Sequence, residues 1–182
     1  MKTYISILRG INVSGQKLIK MEALRKMYEN MGFQNVITYV QSGNIIFSAN
    51  EEEPNILAKT ISDQIQLVFS FDVPLLVLTI DQLEQIINDN PFANNTDKLS
   101  SHLYVTFLSS APDYSVKSII ENKKQSDEEI HFFHHAIYLY CPTGYGKTKL
   151  NNNFLESKLN VVATTRNWQT TNELLKLARE IG

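Results

Sequence analysis

The sequence is poor in the residues that cross-link or loosen a chain. Among 182 residues there is one cysteine, Cys141, which excludes an intrachain disulfide and a cysteine-rich zinc site. With 7 glycines and 5 prolines it is neither collagen-like nor a Pro/Gly-rich disordered chain. It has no charge excess: 17 Lys+Arg stand against 19 Asp+Glu, a formal net charge of -2. Proteins that neutralise many phosphates usually carry a clear basic excess, so wholesale binding to a nucleic-acid backbone is not expected. One basic cleft on an acidic surface remains open. No apolar run approaches the length needed to span a bilayer. The short apolar run near the start ends at Arg9 after about five residues, too few for a signal core. A reduced, cytoplasmic setting without a membrane is the resulting expectation.

What is present reads as an ordinary globular chain, 43% hydrophobic and 20% charged, long enough for one or two domains. Tyr4–Gly10 is short, apolar and β-rich, so it predicts a strand. Residues 12–20 are a polar loop around Gly15. Met21, Leu24, Met27, Tyr28 and Met31 recur at helical spacing, and Gly32 stands where a glycine ends a helix. Val36–Gln41 predicts a second strand, Ser42-Gly43-Asn44 a turn, and Ile45–Ser48 its hairpin partner. A helix starts near Pro54 and carries Ile56 or Leu57, then Ile61, Ile65 and Val68, and Val73–Thr79 is a fourth strand. The order is β-α-β-β-α-β, the split ferredoxin-like unit.

The second half repeats it. Asp81-Gln82-Leu83-Glu84 resembles a capping box opening a short helix that stops at Pro91, and the polar stretch 94–100 is the expected boundary. Leu103–Leu108 predicts a strand, Val116, Ile119 and Ile120 a helix from about Pro112, and Ile130–Phe133 with Ile137–Cys141 a hairpin. Leu150, Phe154 and Leu155 mark another helix, Asn160–Thr164 the last strand, and Trp168–Ile181 a closing helix. The fold class is therefore α+β: two ferredoxin-like subdomains in tandem with antiparallel sheets and a C-terminal helix. The expected organisation is 1–80, a linking helix and loop over 81–100, and 101–182. Bulky residues alternate on both faces of the first two strands, so both faces of a sheet want cover. The two subdomains covering each other, or a second copy of the chain, would supply it, with a ligand cleft between the subdomains.

Leu8-Arg9-Gly10-Ile11-Asn12-Val13, then Lys20-Met21, then Thr38-Tyr39-Val40-Gln41-Ser42-Gly43-Asn44 with Phe47, form a specific pattern. It resembles domain-of-unknown-function family 1697, a bacterial family. Asn90-Pro91-Phe92 and Thr165-Arg166-Asn167-Trp168 also fit, so the resemblance reaches nearly the whole chain. Ser14 stands where the family often has a second glycine, which stiffens the loop. The resemblance implies the same tandem fold and assigns no activity.

Three constellations bear on chemistry. Arg9, Asn12, Lys20, Gln41, Ser42 and Asn44 combine ionic donors with adaptable amides and a hydroxyl, suited to a carboxylate, phosphate or nucleotide-like ligand. In the expected topology Arg9 and Gln41 end strands at one end of the sheet, with strand two on an edge beside strand four. The same residues also serve as turn chemistry. At Arg166-Asn167-Trp168, Asn167 is a candidate N-cap, Arg166 adds charge where helices attract anions, and Trp168 is either a stacking face or a core anchor. Cys141 to Thr148 ends in Gly146-Lys147-Thr148, like a phosphate-binding loop. Cys141 occupies the place of that motif's first glycine, and Lys147 that of the arginine in cysteine phosphatases. Lys147 and Thr148 then mark at most a weak anion site at a helix start. His102, His131, His134 and His135 lack ligand spacing, so no metal and no cofactor are expected.

The leading functional expectation is a small anionic or nucleotide-like ligand held between the subdomains, with the reaction open. Single-stranded nucleic acid on the sheet faces, using Tyr4, Tyr39, Tyr104 and Tyr138, ranks second, and a protein-interaction module third. A homo-oligomer is left open.

Overall fold

A computed structural model describes residues 1–182. It has a mixed α+β architecture with two four-stranded antiparallel sheets and a C-terminal helix. The chain divides into two compact units, Met1–Glu84 with Glu173–Gly182, and Gln85–Asn172. The polar stretch 94–100 falls within the second unit, where its polarity marks an exposed loop. No helix is long and apolar enough to cross a membrane.

The first unit runs β1 (Lys2–Leu8), α1 (Met21–Asn30), β2 (Gln34–Tyr39), β3 (Asn44–Ala49), α2 (Pro54–Phe69) and β4 (Leu75–Thr79). The period of two along β1 sends Tyr4 and Leu8 to one face and Ile5 and Ile7 to the other. On the first face they meet Leu24, Met27 and Tyr28 of α1 and Leu57, Ile61 and Ile65 of α2 in one core. Tyr28 brings its hydroxyl into that core and spends it on Ser6 Oγ at 2.8 Å, as a buried polar group must. On the second face Ile5, Ile7, Ile46, Leu76 and Leu78 are all buried as well. Gly32, at φ 87, ends α1 where the sequence places its stop.

The sheet order is β2-β3-β1-β4. Strand two therefore does not run beside strand four. β1, with two partners, is central, and β2 and β4 lie on opposite edges. After β4 comes α3 (Ile80–Asn88). Its capping box is Thr79 with Gln82, not Asp81 with Glu84. Thr79 Oγ1 accepts from Gln82 N at 3.2 Å, and Gln82 Oε1 accepts from Thr79 N at 3.0 Å.

The second unit runs β5 (Leu103–Leu108), α4 (Lys117–Glu121), β6 (Glu129–Phe132), β7 (Ala136–Tyr140), α5 (Asn152–Leu159) and β8 (Ala163–Asn167); the closing helix α6 (Trp168–Ile181) follows, its residues from Glu173 belonging to the first unit. Its sheet order is β6-β7-β5-β8. Leu108, Ile137, Leu139, Leu150, Leu155 and Ala163 form the core under α5. Val105, Phe107, Ala136 and Tyr138 are buried on the other face. Two expectations change here. α4 is little more than a turn, and only Ile120 is inward, Ile119 being exposed. The last strand is Ala163–Asn167 rather than Asn160–Thr164: Asn160 takes a left-handed φ of 52 that closes α5, and Val161-Val162 form the connection.

Candidate functional site

One end of the first unit is built from two loops, residues 9–20 between β1 and α1 and residues 40–43 between β2 and β3. Asn12 joins them. Its Nδ2 donates to Ile19 O and to Gln41 O, both at 2.9 Å, and its Oδ1 accepts from Ile19 N at 2.9 Å. Both amide hydrogens are spent, so Asn12 positions the loops. Asn44 is fully buried and does the same for the turn, donating to Tyr39 O at 3.0 Å and to Ser42 Oγ at 3.1 Å. For these two residues the turn chemistry anticipated from sequence is what the geometry realises.

The backbone of this end is unusual. Gly10, Asn12, Ser14, Gly15, Lys17, Val40 and Gly43 all have φ between 45 and 80. Valine disfavours that region most, because its β-branch crowds the backbone. Gly43 has no substitute. A Cβ there would lie 2.7 Å from Ile11 Cδ1 and 2.8 Å from Leu8 Cβ, while its carbonyl accepts from Leu8 N at 2.8 Å.

On this frame stand Arg9, half-buried, and the exposed Lys20 and Gln41. Lys20 is the N-cap residue of α1, so its ammonium adds to the positive end of the helix dipole. Lys17, which the sequence reading left out, donates its ammonium to Asp72 O. The two loops, 9–20 and 40–43, contain Arg9, Lys17 and Lys20 and no Asp or Glu. Two acids lie close: Asp72, whose carbonyl takes the Lys17 ammonium, and the first-turn Glu22 of α1, which pairs with Lys26 at 2.9 Å and also feels the charge of Lys20. Positively charged side chains, backbone held in fixed turns and adaptable side-chain amides make an environment for an anion.

Arg166, Asn167 and Trp168 belong to the second unit. Arg166 is on β8 opposite Val105, 9% exposed. Its Nη1 donates to Thr164 Oγ1 at 3.0 Å and Thr165 O at 2.9 Å. Burial pulls its pKa down to about 10, with Tyr145 acting weakly the other way, so it is charged at neutral pH yet turned inward. Asn167 caps α6, its Oδ1 accepting from Thr170 N at 2.7 Å, and Trp168 is half-buried at the head of that helix.

Lys147 and Thr148 do not begin a helix. They form a turn ahead of α5, whose first amides are met by Asn151, Oδ1 accepting from Phe154 N at 3.0 Å. Thr148 is buried, with its hydroxyl accepting from Leu150 N at 3.1 Å, and Lys147 is exposed. Cys141 is buried. Desolvation, reinforced by the charge of Glu128, pushes its thiol up to about 12, so it stays protonated and is no phosphatase nucleophile. His131 stacks on Tyr138, ring centroids 6.2 Å apart. No group of three or more His, Cys, Asp or Glu side chains is placed to hold a metal ion.

The chain is similar in structure to conserved bacterial protein SP0830 from Streptococcus pneumoniae, with a TM-score of 0.77 at 23% identity, covering 97% of this chain and 98% of that one. At that identity the likeness speaks for the fold alone. No curated protein matches the sequence. The model of one family, described as protein of unknown function (DUF1697), matches residues 1–138. The match takes in both loops of the first unit, while Thr165–Trp168 lies beyond it. The chain belongs to that family of proteins of unknown function.

Proposed function

We propose that the protein binds a small anionic or nucleotide-like ligand at the loop end of the first unit. Arg9 and Lys20 supply charge, and Gln41 and Ser42 supply adaptable hydrogen bonds. The observation that carries this reading is the pair of acid-free loops clamped by Asn12 in left-handed backbone. Such backbone costs free energy at Ser14, Lys17 and Val40, where glycine would adopt it freely.

A thermal-shift screen of nucleotides, sugar phosphates, carboxylates and short oligonucleotides at two salt concentrations tests it. A ligand at ten times its Kd raises Tm by about 3–6 °C for a chain of this size. The shift should vanish in Arg9→Ala and Lys20→Ala. A shift that survives both substitutions removes the site from these loops.

Each unit is, on this reading, a ferredoxin-like fold, and the pair a tandem duplication. The matching strand orders β2-β3-β1-β4 and β6-β7-β5-β8 support it. A bacterial, cytoplasmic protein fits the family resemblance and the single buried thiol. Base stacking on the sheet faces loses two of its four tyrosines, since Tyr4 and Tyr138 expose 1% and 0%, while Tyr39 and Tyr104 are half-buried. The interaction-module reading retains one observation. Leu67 and Val68 are exposed at the end of α2, where Val68 borders a groove of about 230 Å³ that Ala23, Met27 and Phe69 also line.

A further inference from the structure

The loop end of the first unit carries apolar side chains that folding does not explain. Val13, Leu18 and Val40 expose 58%, 67% and 47% of their surface. Val13 and Leu18 lie on the loop closed by Asn12 N donating to Lys17 O and Gln16 N to Val13 O. Val40 immediately precedes Gln41, whose carbonyl the Asn12 side chain holds. All three therefore flank the frame that presents Lys20 and Gln41. Val40 is unfavourable twice over. Its side chain gains little from burial, and its φ of 52 is one that asparagine or glycine would adopt at lower cost.

We propose that the ligand of this site is an anion joined to an apolar body. The charged group meets Arg9 and Lys20, and the apolar body lies on Val13, Leu18 and Val40. This inference rests on the anion-binding reading and narrows its ligand class to aryl or acyl phosphates and carboxylates, as against bare inorganic anions. The nearby residues suit such a division: the cations supply the attraction, and the exposed branched side chains gain from shedding water only when an apolar group covers them.

The test is calorimetric titration of the full chain with two matched pairs, inorganic phosphate against phenyl phosphate and acetate against benzoate. The aromatic member of a binding pair should bind about tenfold tighter. In the double variant Leu18→Ser/Val40→Asn that preference should fall to within about twofold. Both positions are exposed and asparagine suits the left-handed backbone, so the variant retains its fold. Equal affinities within a pair in the unaltered protein, with binding lost in Arg9→Ala, overturn the apolar seat and leave anion binding standing. A preference that survives the double variant overturns it too. Failure of all four compounds to bind overturns both readings.

Discussion

The two units repeat one order of strands and helices on sheets of one pattern, yet they close their loops differently. Between β1 and α1 the first unit uses a long loop with five left-handed residues, and between β2 and β3 a turn with two more. The loop from β5 to α4 has none. It turns on Pro112 and on Asp113, whose Oδ1 accepts from Ser115 N at 2.9 Å. The hairpin turn at His134 and His135 has none either, and the second unit's left-handed residues are Gly144 and Asn160. The same sheet order is thus reached without the first unit's strained backbone. What differs is charge and exposure: the first unit gathers basic groups at its loop end, while the second turns Arg166, Glu128 and Cys141 inward. That strain, beside surface charge, is the contrast on which the binding proposal rests.

The contrast is sharpest at the hairpin turns. Gly43→Ala forces a Cβ against Ile11 and Leu8 at positive φ, and should cost about 3 kcal/mol or more in urea unfolding. His134→Ala, at the equivalent turn, should stay within about 0.5 kcal/mol. Equal costs would break the comparison. Asn12→Ala comes next. It unpairs the backbone groups of Ile19 and Gln41 and should cost about 2 kcal/mol, with hydrogen exchange accelerating in residues 12–20 and 40–43 but not in 109–116.

The second unit also buries an alkaline-sensitive thiol. Burial holds the Cys141 thiol protonated to about pH 12 in the folded protein, against an ordinary thiol value of 9.0. Between those values the unfolded chain binds fewer protons than the native one, so stability falls as pH rises through that window. A stability profile from pH 8 to 11 should fall less steeply in Cys141→Ala than in the unaltered protein, and parallel profiles would contradict the buried, neutral thiol. The smallest effect is a gain. Val40→Asn should stabilise by about 0.5–1 kcal/mol by relieving the left-handed valine, and a loss there would show that Val40 has native contacts to lose.

The sheets were legible because burial imposes a period. Tyr4, Leu8 and Ile5, Ile7 alternate, and Leu57, Ile61 and Ile65 recur every four residues. Gly32 and Pro54 punctuate the helices as their backbone chemistry requires. Errors arose where two readings satisfy the same local rule. Thr79 with Gln82 and Asp81 with Glu84 both have capping spacing, and only the backbone distinguishes them. Val161-Val162 are β-branched, yet Asn160 turns the chain left-handed and delays β8. At the candidate site the residue types were visible and their division of labour was not. Asn12 and Asn44 look like ligand-binding amides until their hydrogens are traced to backbone carbonyls. Valine is the wrong residue for the φ that Val40 takes, and the partner of Lys17, Asp72 O, is distant in sequence, so neither role shows in the residue types.

Amide chemical-shift mapping during a titration with phenyl phosphate distinguishes the two units most directly. Anion binding at the first unit's loops predicts saturable shifts centred on residues 9–20 and 40–44, abolished by Arg9→Ala. Shifts centred instead on Lys147 to Asn152 would assign the anion to the second unit and contradict the proposal.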